Sequence, residues 1–586
     1  MSLINELNTL LDRFEAIPSL SDSDKEMLLS KRQALPKLLD ELTAASKDDE
    51  GTYSPDAQNY DANTNTKLRQ LHATLASSGI TEVSDYESLV PGLNAFVKAG
   101  MPDSDLLDNW GRELDSLAPR VPGTKSMDEA SAYLIQKLRS FGINTWSEPI
   151  DFRGVFFHEW SFKLLSPSGR AFTCFPQNNV AFGDIKAEIV DVGHGKAQDY
   201  VGKDVRGKIV LVNWGDLWDH EGPCAARERY TLLALYDIAV AQGAAAMVGY
   251  FSDTPGNALK LVEPGIRPIG GSNIFGQAEA SANHQFQLPA LNIGTKDALE
   301  LKAILSKGSA QAHLVIKGVR KVSSTQSVIG FLPGQSSATI AIAAHSCTAF
   351  EGAVCDTVGV VGALAQAHYF SQLPLQKRKK SLLFFFDSFH VWGNCCQTAN
   401  MILKEHATLA EQIEAFIWLD HISDGQCTSD RLTITSDHPI LWPLANLASA
   451  HRGIKPLALP IGRIWSFCAT GAFERRGVPA LTMQALGNYV LTTEDTWDKF
   501  NIDVVARDIL ANTDIVSALM ELNINRNIPG EPIGGCGTLF TSTELASYPQ
   551  DETYQAEEAY PLYIGGEHSE VEILKSTAEK KARINP

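Results

Sequence analysis

No run of about 18 consecutive apolar residues, the length a membrane-spanning helix needs, occurs in this 586-residue chain. Its first residues, Met1 to Ile17, lack a basic start followed by an apolar core, so neither a secretory signal nor a transit peptide is expected there. Basic charge is also short: 50 Lys and Arg face 69 Asp and Glu, a net charge of −19. Such a surface repels phosphate backbones and anionic headgroups, which argues against nucleic acid and against membrane as partners. Cysteine is scarce, with nine residues in no paired pattern. A disulfide framework is therefore not expected, and the compartment predicted is the cytoplasm, where thiols stay reduced.

What the chain does have is apolar content. Hydrophobic residues make up 44 % of it, enough for three or four units of roughly 100–200 residues each. Residues 1–100 read as an N-terminal helical region, with Leu3, Leu7, Leu10, Leu11 and Phe14 on one helical face. A new unit starts near Met101. There Ser126 and Glu129 form a capping-box pattern, Ala130, Tyr133, Leu134, Leu138 and Phe141 an apolar helix face, and Gly142 sits where a C-terminal cap belongs.

Between 154 and 324 short apolar runs (208–213, 246–250, 289–294) are cut by Gly and Pro, which predicts an inserted β-rich domain. From 325 to 526 continuous apolar runs at 339–344, 381–386, 416–419 and 478–483 alternate with helical patterns. Runs of this kind are buried on both faces of a mostly parallel central sheet covered by helices. The α/β domain is thus expected to comprise 101–153 and 325–526. Residues 527–586, rich in Gly, Pro, Glu and Tyr, read as a C-terminal extension.

His345 and Asp420 each follow an apolar strand, and Asp356 sits where a loop enters a helix. Ligands of open α/β sheets bind at the carboxyl ends of strands, so these three donors could hold one divalent ion. Each also has a plainer reading: a strand-terminal Asp often caps a helix, and a lone His is usually packed or hydrogen-bonded. His390, between Phe389 and Val391, is open as an acid, a base, a further ligand or a packed residue. Cys347, Cys355, Cys395, Cys396 and Cys468 lie near these motifs, as soft ligands, a nucleophile or small buried hydrophobes.

Several motifs occur in an order that resembles the two-zinc aminopeptidase family, which also includes glutamate carboxypeptidase, the transferrin receptor and glutaminyl cyclase. Ala344-His345-Ser346-Cys347 resembles its His-x-Asp motif, with Cys in the Asp position. Gly352-Ala353-Val354-Cys355-Asp356 resembles Gly-Ala-x-Asp-Asn, read with one extra residue before Asp356. Phe389 and His390 stand where two adjacent glutamates are expected, Trp418-Leu419-Asp420 resembles Asn-Leu-Asp, and Gly477-Val478-Pro479-Ala480 resembles Gly-Ile-Pro-Ala. The run Leu491-Thr492-Thr493-Glu494-Asp495-Thr496-Trp497-Asp498-Lys499 resembles His-Thr-x-Glu-Asp-Thr-x-Asp-Lys, with Leu for His. The insert resembles the family's protease-associated domain through 207–212 and Ala241-Gln242-Gly243-Ala244.

The resemblance implies one surviving metal half-site, His345, Asp356 and Asp420. It implies loss of the second half-site, where Leu491 replaces the final His, and of the general base, where Phe389 replaces Glu. One divalent ion is therefore expected, with zinc first and iron or manganese as alternatives. Three functions follow: a single-metal enzyme of altered hydrolase, lyase or cyclase chemistry acting on a small or peptide-like substrate, with His390 as acid–base group; an inactive binding or scaffold homologue; or a two-metal peptidase with His390 as replacement ligand. A homo-oligomer is an open expectation.

Overall fold

The structure, a computed structural model, describes residues 89–526 apart from 178–179, 215–231, 253, 261–287, 393–396, 426–431, 437, 439, 455–456, 459–469, 475 and 486–488. Its strands are β1 (Asn144–Ser166), β2 (Ala171–Phe172), β3 (Cys174–Pro176), β4 (Gly183–Asp191), β5 (Ile209–Asn213), β6 (Ala246–Tyr250), β7 (Ala290–Ile293), β8 (Gln311–Leu332), β9 (Thr339–His345), β10 (Ser381–Asp387), β11 (Ile413–Trp418), β12 (Leu432–Thr435), β13 (Leu457–Ala458) and β14 (Ala480–Ala485).

The apolar runs of 325–526 form the centre of the sheet. β14, β11, β9 and β10 lie side by side, all parallel, and β8 closes the far side antiparallel to β10. Because strand side chains alternate, each run supplies two cores. Ile340, Ile342, Leu382, Phe384, Phe386, Ile417 and Leu481 face a layer built on helices Ser104–Asp115, Lys125–Ser140, Val358–Gln372 and Ile502–Leu519. Ala341, Ala343, Leu383, Phe385, Phe416 and Trp418 face a second layer with helices Gln397–Glu405 and Thr470–Glu474. This is the expected parallel sheet covered on both faces. No helix among the described residues is long and apolar enough to cross a membrane.

The insert is not hung on short linkers. β1 and β8 pair antiparallel over nearly their whole length, from Asn144↔Phe331 to Ser166↔Gln311. One end of this ribbon belongs to the central sheet. The other carries β4, which continues in parallel through β5, β6 and β7. The expected limits at 154 and 324 fall inside these two strands. Residues 89–97 pack into the α/β core: Leu89, Leu93 and Phe96 are buried there, and the Val97 amide donates to Asp514 Oδ1 at 2.7 Å. Residues 1–88 of the N-terminal helical region and the C-terminal extension lie outside the described residues.

One local expectation changes. The helix begins at Lys125, so Ser126 lies inside it, and its hydroxyl donates to the Pro119 carbonyl at 2.5 Å instead of capping. Gly142 ends the helix as expected, at φ +78, with the Ile143 amide reaching back to Leu138.

Gly111 shows how closely the elements meet. A Cβ there would lie 2.0 Å from the Trp497 ring, which is itself fixed by Nε1 donating to Asp108 at 2.9 Å. Gly111→Ala should gain about 1 kcal/mol of helix propensity and lose more than that to overpacking, which typically costs about 1–3 kcal/mol or more. Net destabilisation is the expected outcome in denaturant titration; an unchanged or raised midpoint would refute the contact.

Candidate metal centre

Strand register brings the candidate residues to one level. His345 closes β9 and pairs with Asp387, the last residue of β10. Trp418 of β11 pairs with Ala343, so Asp420, two residues on, arrives beside His345. Gln484 on β14 completes the row, its amide donating to Asp420 Oδ2 at 2.6 Å. His345, Asp356, Cys355 and Asp420 are buried, while His390 and His421 are 9 % and 8 % exposed.

Asp356 is placed differently from the other acids. Its carboxylate accepts three backbone N–H groups: His345 at 3.2 Å, Gly359 at 3.0 Å and His421 at 3.1 Å. A Cβ on Gly359 would sit 2.4 Å from these carboxylate oxygens, so only glycine admits the approach. Burial first, and then Asp420, push the Asp356 carboxyl well above its ordinary range, against the pull of the three amides. Neither close group of potential ligand atoms among the described residues includes Asp356; one is His345, His390 and Asp420, the other His345, Cys355 and His421.

The first group has the chemistry of an ion site. His345 Nδ1 lies 2.9 Å from the Cys347 carbonyl, which can only accept, so Nδ1 carries a proton and Nε2 is the ring nitrogen turned to the site. Nε2 faces Asp420 Oδ1 at 3.4 Å, and His421 Nε2 lies 3.2 Å from the same oxygen. Oδ1 and both ring nitrogens of His421 have no hydrogen-bond partner among the described residues. Buried lone pairs that face one another need a cation or a shared proton between them. A tetrahedral ion with bonds of about 2.0–2.2 Å sets its ligand atoms roughly 3.4 Å apart, so the residues fit a zinc-type ion. Burial alone would raise the Asp420 carboxyl, but His421, His345 and His390 hold it far below the usual range.

His390 stacks on His345, with centroids 4.3 Å apart, and leans on Trp418 at 5.4 Å. Phe389 turns away into the insert's core, its ring 4.4 Å from Phe152. Leu491 is buried in that same core and keeps a left-handed backbone at φ 60, as His421 does at φ 53. For residues other than glycine this costs of order 1–3 kcal/mol and is found where surrounding contacts impose it.

Sequence reasoning missed the supporting residues. Asp495 accepts from the Val354 amide at 2.7 Å and the Cys355 amide at 3.2 Å, holding the turn before Asp356. Buried Arg120, which burial lowers to about 10, donates to the Ser346 and Leu114 carbonyls and to Thr357. Cys355 had a usable signal: Gly352-Ala353-Val354-Cys355 read without the extra residue puts Cys355 in the aspartate position. Cys395, Cys396 and Cys468 lie outside the described residues.

Asp495 gives a pH prediction. Burial raises its carboxyl from 3.8 to about 7, against the two amides. Between those values the folded chain holds a proton that the unfolded chain has lost, so stability falls as pH rises and the loss is complete above about 7. Asp387 and Asp508, each raised to about 6 by burial, add the same sign at lower pH. In chelator-treated protein Asp495→Asn should make the melting temperature fall less steeply with pH than the wild type does between pH 5 and 7, with no difference in slope above that. An unchanged slope in the variant would contradict this assignment.

No protein-family model matches the chain, and no curated protein matches it. Solved structures do. A peptidase precursor from Shewanella amazonensis aligns over 73 % of this chain and 97 % of its own, at 18 % identity and a TM-score of 0.55. A zinc aminopeptidase from Bacillus subtilis aligns over 71 % of this chain and 95 % of its own, at 16 % identity and a TM-score of 0.53. At such identities the likeness establishes architecture: this chain is built on the fold of the zinc aminopeptidases.

Proposed function

We propose that the protein is a divergent member of the zinc-aminopeptidase family. In this reading it holds one divalent ion, zinc first, and acts on a small amino-acid-like or amide-containing substrate by chemistry other than ordinary aminopeptidase hydrolysis. The observation that carries this is the pair of potential ligand atoms, His345 Nε2 and Asp420 Oδ1, held 3.4 Å apart in a buried site. His421 Nε2 lies beside Asp420 Oδ1, and among the described residues the one whose ligand atom lies within 4.8 Å of both His345 and Asp420 is His390. Such an ion supplies Lewis-acid polarisation of a carbonyl or carboxylate oxygen.

The chain's own groups define the remaining chemistry. Gln484 and the Cys347 carbonyl fix the orientation and tautomer of the donors. Asp356 joins the three backbone segments that carry His345, His421 and the helix after it, and we assign it a positioning role in place of its expected one as a ligand. His390, stacked next to the donors, is the group left to hold or move a proton at the substrate. Phe389 cannot accept one, and loss of a general base forfeits roughly 10²–10⁴-fold in rate.

Retention of oriented, buried donors favours the enzyme over the scaffold reading, since a site without an ion gains nothing from burying them. Against the two-metal reading, Leu491 stands where the resemblance expects the final ligand of the second ion, and Phe389 where it expects the base.

Elemental analysis of full-length protein purified without chelator should find one equivalent of divalent metal per chain. Two equivalents would contradict the single-ion reading, and none would favour the scaffold. Asp420→Asn should lose the ion. Asp356→Asn should lower the melting temperature whether or not metal is present, and strict metal dependence of that loss would restore Asp356 as a ligand. Aminoacyl anilides and dipeptides should not be cleaved at appreciable rates with added zinc; turnover blocked by an aminopeptidase inhibitor would overturn the proposal.

A further inference from the structure

We infer that Asn292, on β7 of the insert, is a positioning residue for the candidate site: through a strap formed by residues 257–260 it holds the turn that carries Asp356. The consequence for an ion rests on the single-ion reading above, whereas the link itself is made of hydrogen bonds within the chain.

Asn292 is buried, and its two amide atoms have opposite duties. Oδ1 accepts from Trp214 Nε1 at 3.1 Å and from Gln177 Nε2 at 3.0 Å. An indole nitrogen can only donate, which fixes the oxygen on that side and turns Nδ2 to the strap. Nδ2 donates to the Lys260 carbonyl at 2.8 Å. A Cβ on Gly249 would lie 1.6 Å from Trp214 Nε1 and 2.6 Å from Asn292 Oδ1, so glycine is what lets the indole reach the amide. The strap is held a second time at Asn257. Its Oδ1 accepts from the Asp297 amide at 3.1 Å and its Nδ2 donates to Asp297 Oδ2 at 3.0 Å, in the first turn of helix Thr295–Leu305.

The strap in turn grips the loop that follows β14. The Leu259 amide donates to Thr493 Oγ1 at 3.1 Å, the Thr493 amide donates to the Leu259 carbonyl at 2.9 Å, and Lys260 bridges to Thr492. Within the loop, the buried Thr492 hydroxyl donates to the Tyr489 carbonyl at 2.7 Å, and the Thr492 carbonyl accepts from the Asp495 amide at 3.1 Å. Asp495 then takes the Ala353 amide on its carbonyl at 3.1 Å, and the Val354 and Cys355 amides on its carboxylate at 2.7 Å and 3.2 Å. Asp356 is the next residue.

The backbone of the gripped loop gives an independent sign. Leu491 lies inside it at φ 60. A residue other than glycine keeps such a conformation where surrounding contacts impose it, and the strap supplies contacts at the two residues that follow. Coupling along a chain of contacts is established by perturbing one end and reading the other.

Hydrogen exchange read by mass spectrometry on the full-length chain does this, in protein as purified and after chelator treatment. Asn292→Ala should speed exchange in peptides covering 489–496 and 352–358 by roughly tenfold, the factor expected from one lost buried hydrogen bond. Gln177→Ala is the matched control. It removes a donor to the same Asn292 oxygen and leaves the Lys260 bond in place. It should lower the melting temperature while both peptides exchange at wild-type rates. Unchanged exchange in Asn292→Ala would overturn the inference, and so would an equal rise in Gln177→Ala. A rise confined to the protein as purified would overturn it too, because loss of an ion would then account for it. If Asn292→Ala does not fold, Thr493→Val removes the acceptor of the Leu259 amide from the loop side, and exchange at 352–358 in that variant decides the question. Zinc titration separates this inference from the reading beneath it. Asn292→Ala should bind zinc roughly tenfold more weakly, the lower end of what residues that orient ligands contribute. Wild-type affinity in a variant with faster exchange would overturn the positioning role. Wild-type protein that binds no zinc would sink the single-ion reading and leave the link to be decided by exchange.

Discussion

A carboxylate with no access to water ties the end of one strand, the start of one helix and the loop after a second strand into a single junction. Asp356 does this by accepting amides from His345, Gly359 and His421. Each amide would otherwise be a buried donor without a partner, at a cost of about 1–3 kcal/mol. The left-handed backbone of His421 follows from the junction, and with it the presentation of the imidazole next to Asp420. The donors are thus oriented by the backbone before any ion arrives, which is the condition for tight and specific coordination.

Around this junction one side is apolar. Phe389, Leu491, Val391 and Trp392 join the core of the insert, together with Phe152 and Phe350. The loops at the carboxyl ends of β9 and β10 are therefore packed under the insert, and the long β1–β8 ribbon couples the two units mechanically. Leu491 holds φ 60 although its side chain offers no ligand atom. The backbone there obeys its neighbours: the Thr493 amide donates to the Leu259 carbonyl, and Lys260 bridges to Thr492.

Much of the fold was legible because it depends on repeating chemistry. The runs at 339–344 and 381–386 are continuously apolar, and such runs have few options other than a strand buried on both faces. His345 and Asp420 were legible for the same reason, being the first polar residues after such runs. Other features depend on contacts between segments remote in sequence, and no local pattern announces them. Whether Asp356 turns to an ion or to three amides is decided by Gly359 and His421. Ser126 looked like a cap until the helix proved to start at Lys125. Gln484, Asp495 and Arg120 act through partners tens to hundreds of residues away. Cys355 was visible as a residue near the site, but its proximity to His345 Nε2 is a property of the folded turn.

In the proposed reading one ion sits among His345, Asp420 and their neighbours, and no second ion accompanies it. Anomalous diffraction from crystals of the zinc-loaded protein, collected on both sides of the zinc edge, tests this most directly. One peak is expected, within bonding distance of His345 Nε2 and Asp420 Oδ1, with Asp356 still bound to its amides. Two peaks bridged by Asp356, or no peak between His345 and Asp420, would contradict it.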